Sequence, residues 1–111
     1  MQTAHIVVLT TFPNIDTAQQ FADEIVLAKL AACVNIIPGA QSTYMWKGEI
    51  CRDSECIALM KTTQHCYAEL EAYIKRHHPY ELPEIIATPI SNGSKEYLSW
   101  LRNGLKADTE T

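Results

Sequence analysis

The residues best equipped for chemistry in this sequence lie together in "HHPYELPE", positions 77–84. Imidazole suits copper, zinc and nickel, so His77 and His78 are the leading candidates for a divalent-metal site. Their adjacency limits them, because neighbouring side chains on a continuing helix diverge by about 100°. Pro79 disfavours helical backbone at His78 and so allows the second ring to swing round. Each histidine also has a purely structural reading. His77 shares a helical stripe with Leu70 and Ile74, as a packed core histidine would. His78 at a helix C-terminus would be favoured as a cation. A third ligand is required in any metal reading.

The four cysteines add little to such a site. Cys33, Cys51, Cys56 and Cys66 form no C-x-x-C pair, which argues against a zinc ribbon and a thioredoxin-type motif. Cys51 and Cys56 are an odd number of residues apart on an expected strand and therefore face opposite sides. Cys33, beside Ala31 and Ala32, reads as a small buried hydrophobe. Cys66, in the first turn of a helix, is the thiol whose position most favours reactivity, against a simpler packing role. No G-x-S-x-G, H-E-x-x-H or P-loop pattern is present, and the sequence gives no enzyme constellation. A second group, Trp46, Lys61, Glu84 and Trp100, could line a cleft between subunits. Within it Glu84 is a candidate partner of the Lys61 amine, most simply as a structural ion pair at the interface.

These side chains must be positioned by a small α+β domain. With 111 residues, 47% of them hydrophobic and 20% charged, the chain has the composition of one globular unit. Nine basic against thirteen acidic residues leave a net charge of −4, without the basic stripe of a nucleic-acid or membrane-surface protein. The N-terminus carries no basic leader, and the apolar run 6–9 is too short for a signal or a span, so a reducing cytoplasm with free thiols is the expected setting.

"AHIVVLTTF" (4–12) reads as a buried strand, and Ala18, Phe21, Ala22, Ile25 and Ala28 mark a helix over 16–31 with Asp16 and Gln19 as a capping box. Segments 33–46 and 49–62 flank Lys47-Gly48 and read as a hairpin, with a bend or bulge at Pro38-Gly39. Thr63 is placed to cap a helix over 64–78 that Pro79 stops. Residues 84–90 read as a strand. Tyr97, Leu98, Leu101 and Leu105 mark a last helix, and residues 107–111 read as a frayed tail. The order β-α-β-β-α-β is that of a ferredoxin-like sandwich, with one extra C-terminal helix.

The hairpin points beyond a monomer. A 14-residue arm spans about 46 Å at about 3.3 Å per residue, whereas a domain of this size has a radius of gyration of about 13 Å. Tyr44, Met45 and Trp46 lie on its outer part. Pairing with neighbouring subunits would cover them and the free strand edges, unless the arms fold back on their own domain.

"KLAACVNIIPG" (29–39), "YMWKGEI" (44–50), "KTT" (61–63), "HHPYELPEI" (77–85) and "YLSWL" (97–101) resemble, in the same order, segments of the CutA divalent-cation-tolerance proteins. The resemblance covers about residues 5–105. It implies a fold similar to the PII signalling proteins, a cytoplasmic homotrimer with hairpins paired between subunits, and binding of Cu(II) or another divalent metal. It also implies ligands at a first-strand cysteine and at positions matching His77 and His78. Thr10 stands at the expected cysteine position, and a hydroxyl is a poor soft-metal ligand. Two alternatives accompany the metal role: a PII-like sensor of a small ligand bound between subunits, and a structural trimer that anchors other proteins.

Overall fold

A computed structural model describes residues 4–107. Its elements run β1 (His5–Phe12), α1 (Ile15–Leu27), β2 (Cys33–Trp46), β3 (Glu49–Thr63), α2 (Gln64–His77), β4 (Ile86–Pro89) and α3 (Lys95–Asn103). The four strands form one antiparallel sheet in the order β2-β3-β1-β4. This is the ferredoxin-like α+β arrangement expected from the element order, with α3 as the addition. Apart from Ala107, the expected tail lies outside the described residues.

Strand alternation sorts the side chains of β1. Ile6, Val8, Thr10 and Phe12 face the helices and are buried. Ala58 and Met60 on β3, Ala18, Phe21 and Ile25 on α1, and Leu70 and Ile74 on α2 close this core. The opposite face carries Val7, Leu9, Ile57, Leu59 and Lys61, all half-buried and covered by no helix. α3 closes a smaller cluster in which Leu101 and Leu105 pack against Cys66. Cys66 is therefore a packing residue.

Several boundaries differ from the sequence expectation for local reasons. α1 starts one residue earlier, because the Asn14 side chain accepts from the Thr17 N–H at 2.8 Å; Gln19 instead donates to Asp23. It stops at Leu27, and Ala28 is its exposed C-cap. Thr63 occupies the N-cap of α2 with extended backbone, but its hydroxyl makes no cap bond. β4 is only four residues long, consistent with an edge strand. On α3, Leu101 is buried, whereas Tyr97 is exposed.

The hairpin is as long as its sequence implied. Lys47 and Gly48 have φ of 51° and 82°, the pair of left-handed residues of a type I′ turn, whose twist matches the strands it joins. The longest dimension of the molecule is 49 Å and the radius of gyration 14.8 Å, so the hairpin projects rather than folding flat. At Pro38-Gly39 the register breaks: Ile37 pairs Ile57, and Ala40 pairs Glu55. Two residues of β2 thus oppose Cys56 alone, which is a β-bulge. Gly39 carries it with φ of 82°.

No atom lies within 4 Å of a Cβ built on Gly39, so a substitution there is opposed by backbone strain alone. Gly39→Ala is expected to lower stability by about 1–2 kcal/mol. Gly39→Asn should cost less, since asparagine tolerates this region. Urea denaturation of the three proteins checks the ranking.

Candidate functional site

Pro79 decides the fate of the two histidines. It drives His78 out of helical backbone, to φ −71° and ψ 140°, while the His78 N–H still closes the last turn on the Ile74 carbonyl at 2.8 Å. The turn swings the His78 ring inward. It stacks on Phe12 with centroids 4.8 Å apart and planes at 17°, and it contacts Tyr80 at 4.8 Å. Its Nδ1 accepts from the Tyr80 N–H at 3.0 Å, and its Nε2 lies 2.7 Å from the Thr11 carbonyl oxygen. A backbone amide can only donate and a carbonyl can only accept. The ring is therefore the neutral tautomer with its proton on Nε2.

His78 is thus the buried histidine, at 8% exposure, and His77 the exposed one. This reverses the expectation that placed His77 in the core. The His77 ring rests against Tyr73, with centroids 4.5 Å apart. The two imidazoles sit in different surroundings, and His78 could ligate a metal only by surrendering one of its two hydrogen bonds. Thr10 does not complete a site. Its hydroxyl is fully buried on the core face of β1 and has no hydrogen-bond partner. Thr10, His77 and His78 of one chain therefore do not fit a copper centre in this arrangement. Among the described residues, no group of three or more His, Cys, Asp or Glu is placed to hold an ion.

The four cleft residues separate into two that meet and two that do not. Trp46 and Glu84 line one cavity of about 430 Å³, between the outer hairpin and the 79–84 turn. Lys61 is elsewhere, on the helix-free sheet face, where its amine donates to Asn35 Oδ1. The register places Cys33 opposite Lys61, so Asn35 is its diagonal neighbour on the same face. Within one chain Lys61 and Glu84 are therefore not paired. Trp100 lies on α3, with its ring tilted 33° to that of Tyr97 at 5.5 Å between centroids.

The bulge supplies the remaining walls of the cavity. Beyond it, even-numbered residues of β2 share a face with odd-numbered residues of β3, which brings Tyr44 and Trp46 to the side of Asp53 and Glu55. Tyr44 donates to Asp53 Oδ2, and Tyr80 donates to Glu55 Oε2 at 2.7 Å. The bond to Asp53, with its negative charge, pushes the Tyr44 phenol up to about 12. Burial, then the bond to Glu55, raises the Tyr80 phenol well above its ordinary range. Both phenols stay protonated at neutral pH and hold their carboxylates in place. Asp53, Glu55 and Tyr80 were not singled out from the sequence, and Tyr44 was read only as hairpin surface. The i, i+2 spacing of Asp53 with Glu55, and of Tyr44 with Trp46, was the available signal.

An antiparallel sheet in this order, two helices on one face, and a long hairpin curving over a turn between α2 and β4 define a ferredoxin-like α+β protein with a cleft between hairpin and turn. Within that class the sequence is specific. Residues 6–104 match the family described as CutA1 divalent ion tolerance protein, and the chain belongs to this family. The divalent-cation tolerance protein CutA of Thermus thermophilus is 49% identical over 96 residues, covering 86% of this chain and 93% of that protein. The chloroplastic CutA of Arabidopsis thaliana is 45% identical over 101 residues, 91% of this chain and 56% of that protein. The crystal structure of CutA1 from Oryza sativa superposes with a TM-score of 0.92 at 40% identity, covering 96% of this chain and 97% of that one.

Burial lowers the His78 pKa from its ordinary 6.5, against the opposing influence of the Thr11 carbonyl and the Glu55 charge. A histidine depressed in the folded state binds its proton more readily when unfolded. Stability from this group is therefore complete above about pH 6.5 and is lost as pH falls through the lower, folded-state value. The denaturation midpoint should fall between pH 7.5 and 5.5, and His78→Ala should flatten that portion of the profile. The same variant should lose about 2–4 kcal/mol at pH 7.5, because it leaves the Tyr80 N–H and Thr11 carbonyl unsatisfied beside a cavity. Urea titrations at both pH values check the two effects.

Proposed function

We propose that the chain is a non-enzymatic, cytoplasmic, homotrimeric protein of divalent-cation tolerance that binds copper or another divalent metal at the His77–His78 segment. The observation that supports this reading is the exposed His77 imidazole at the end of α2, beside a turn that His78 ties to β1. In this reading His77 is the metal-facing donor. His78 positions the segment and joins the ligand set only if the turn opens. Further donors come from a second copy, because the described residues of one chain bring no three ligands together.

Self-assembly is supported by surface that one chain leaves open. Val7, Leu9, Ile57 and Leu59 form an apolar sheet face with no helix over it. Tyr44, Met45, Trp46 and Ile50 are exposed along the projecting hairpin, and β2 and β4 are free edges. No helix among the described residues is long and apolar enough to cross a membrane. The bacterial relatives are named for divalent-cation tolerance rather than for an enzymatic activity. A second reading, a sensor of a small ligand, draws on the cavity that joins Trp46 to Glu84.

Calorimetric titration of tag-free protein with Cu(II) and Zn(II) tests the metal reading. A stoichiometric site tighter than about 1 μM that disappears in His77→Ala is the expected result. His78→Ala should weaken it and destabilise the fold. Equal, weak uptake by wild type and both variants would remove the metal role from this segment.

A further inference from the structure

Two Asn-Gly pairs occur in the sequence, Asn92-Gly93 and Asn103-Gly104, and the fold treats them differently. In such a pair the glycine backbone nitrogen can attack the asparagine side-chain carbonyl, because no Cβ shields it. The reaction has three requirements: an N–H free to lose its proton, a side chain free to turn back on the main chain, and a backbone not held in a helix. Asn92 meets all three. It lies in the segment 90–94, which has no regular structure, and both residues of the pair are exposed. Among the described residues neither the Asn92 side chain nor the Gly93 N–H has a hydrogen-bond partner.

The other three asparagines are protected, each by a contact of the fold. Asn103 is the last residue of α3, and the Gly104 N–H donates to the Trp100 and Leu101 carbonyls at 3.2 Å each. Its nucleophile is engaged, and helical backbone turns that nitrogen away from the side chain. Asn14 accepts from the Thr17 N–H, and Asn35 accepts from the Lys61 amine. Each of these two precedes an isoleucine, whose branched side chain crowds the following nitrogen. The segment 90–94 lies beyond β4, outside the sheet face, the hairpin and the strand edges that support self-assembly.

We propose that Asn92 is a site of spontaneous deamidation and that its isoaspartate product loosens α3. The Gly93 nitrogen loses its proton and bonds to Asn92 Cγ. The Cγ–Nδ2 bond breaks, and that nitrogen leaves as ammonia. Water then opens the cyclic imide at one carbonyl or the other, giving aspartate or isoaspartate. One water is consumed and one ammonia released, with no oxidant, reductant or enzyme. Either product adds a negative charge to a chain whose net charge is −4, just before Ser94, the N-cap of α3. The helix dipole favours an anion there, so aspartate is tolerated. Isoaspartate also inserts one carbon into the main chain beside Gly93. A Cβ built on Gly93 would sit 3.1 Å from the Leu98 side chain, so the main chain is closely packed at this point. α3 is held by Leu101 and Leu105 against Cys66, and a lengthened chain before its cap weakens that docking.

The test incubates the full tag-free chain, undenatured, at mildly alkaline pH. Ion exchange and peptide mass mapping follow the acidic form, and labelling by an isoaspartyl methyltransferase reports isoaspartate. The amide-to-acid mass gain is expected in the peptide carrying Asn92, accumulating at least about tenfold faster than at Asn103, whose glycine amide reacts only after local opening. In denaturing urea the two pairs should convert at similar rates, because the difference belongs to the fold. Asn92→Gln should remove the acidic form, and Asn103→Gln should leave it. The isoaspartate form should show faster hydrogen exchange in α3, which Asn92→Asp does not reproduce. Conversion of Asn103 as fast as Asn92 in the folded protein would overturn the assignment. So would an Asn92 that stays intact in the folded protein while the urea-unfolded chain converts. Equal α3 exchange in the asparagine and isoaspartate forms would overturn the effect on the helix.

Discussion

The β-bulge at Pro38-Gly39 sets the chemistry of the molecule, because a sheet has only two faces and one extra residue exchanges them. Without the extra residue, Thr43 and Met45 would lie beside Asp53 and Glu55, with Tyr44 and Trp46 turned away. With it, two aromatic side chains and two carboxylates share a surface, and the hairpin curves over the turn that carries Tyr80, Glu81 and Glu84. Gly39 makes this inexpensive by accepting φ of 82°. Pro38 fits a bulge because the position has no ladder bond to lose.

A second constraint meets the first at Tyr80. Pro79 ends α2, and the freed His78 becomes a clamp between β1 and the turn. One nitrogen is fixed to the Thr11 carbonyl and the other to the Tyr80 amide. The Tyr80 ring is thereby held where its hydroxyl reaches Glu55 on β3. A chain of contacts thus runs from the helix end through an imidazole to a buried carboxylate. The histidine that resembles a metal ligand in the sequence has both ring nitrogens engaged in this fold.

Much of the architecture was legible because it depends on local signals. Lys47-Gly48 between two β-rich arms specified a tight hairpin, and both residues take the left-handed conformation that such a turn requires. The periodicity of Phe21, Ala22 and Ile25 identified the buried face of α1. The sites were less legible because they depend on register. Whether Trp46 faces Glu55 is decided by a single unpaired residue, and no periodicity within either strand reports it. The inversion of His77 and His78 has a different origin. His77 is the last residue of α2 and continues the stripe through Leu70 and Ile74, but it is exposed, while Pro79 turns the His78 ring inward. Within one chain the Lys61 amine is taken by Asn35, its diagonal neighbour on the same face.

Tyr44 and Tyr80 keep their protons at neutral pH and orient Asp53 and Glu55 through hydrogen bonds. These carboxylates are held apart by the strand and the turn that carry their partners. A metal ion is recognised by convergence of donors, and removing one donor from a small set abolishes the site. The described residues of one chain bring no such group together, so the metal reading of the His77–His78 segment calls for donors from a second copy.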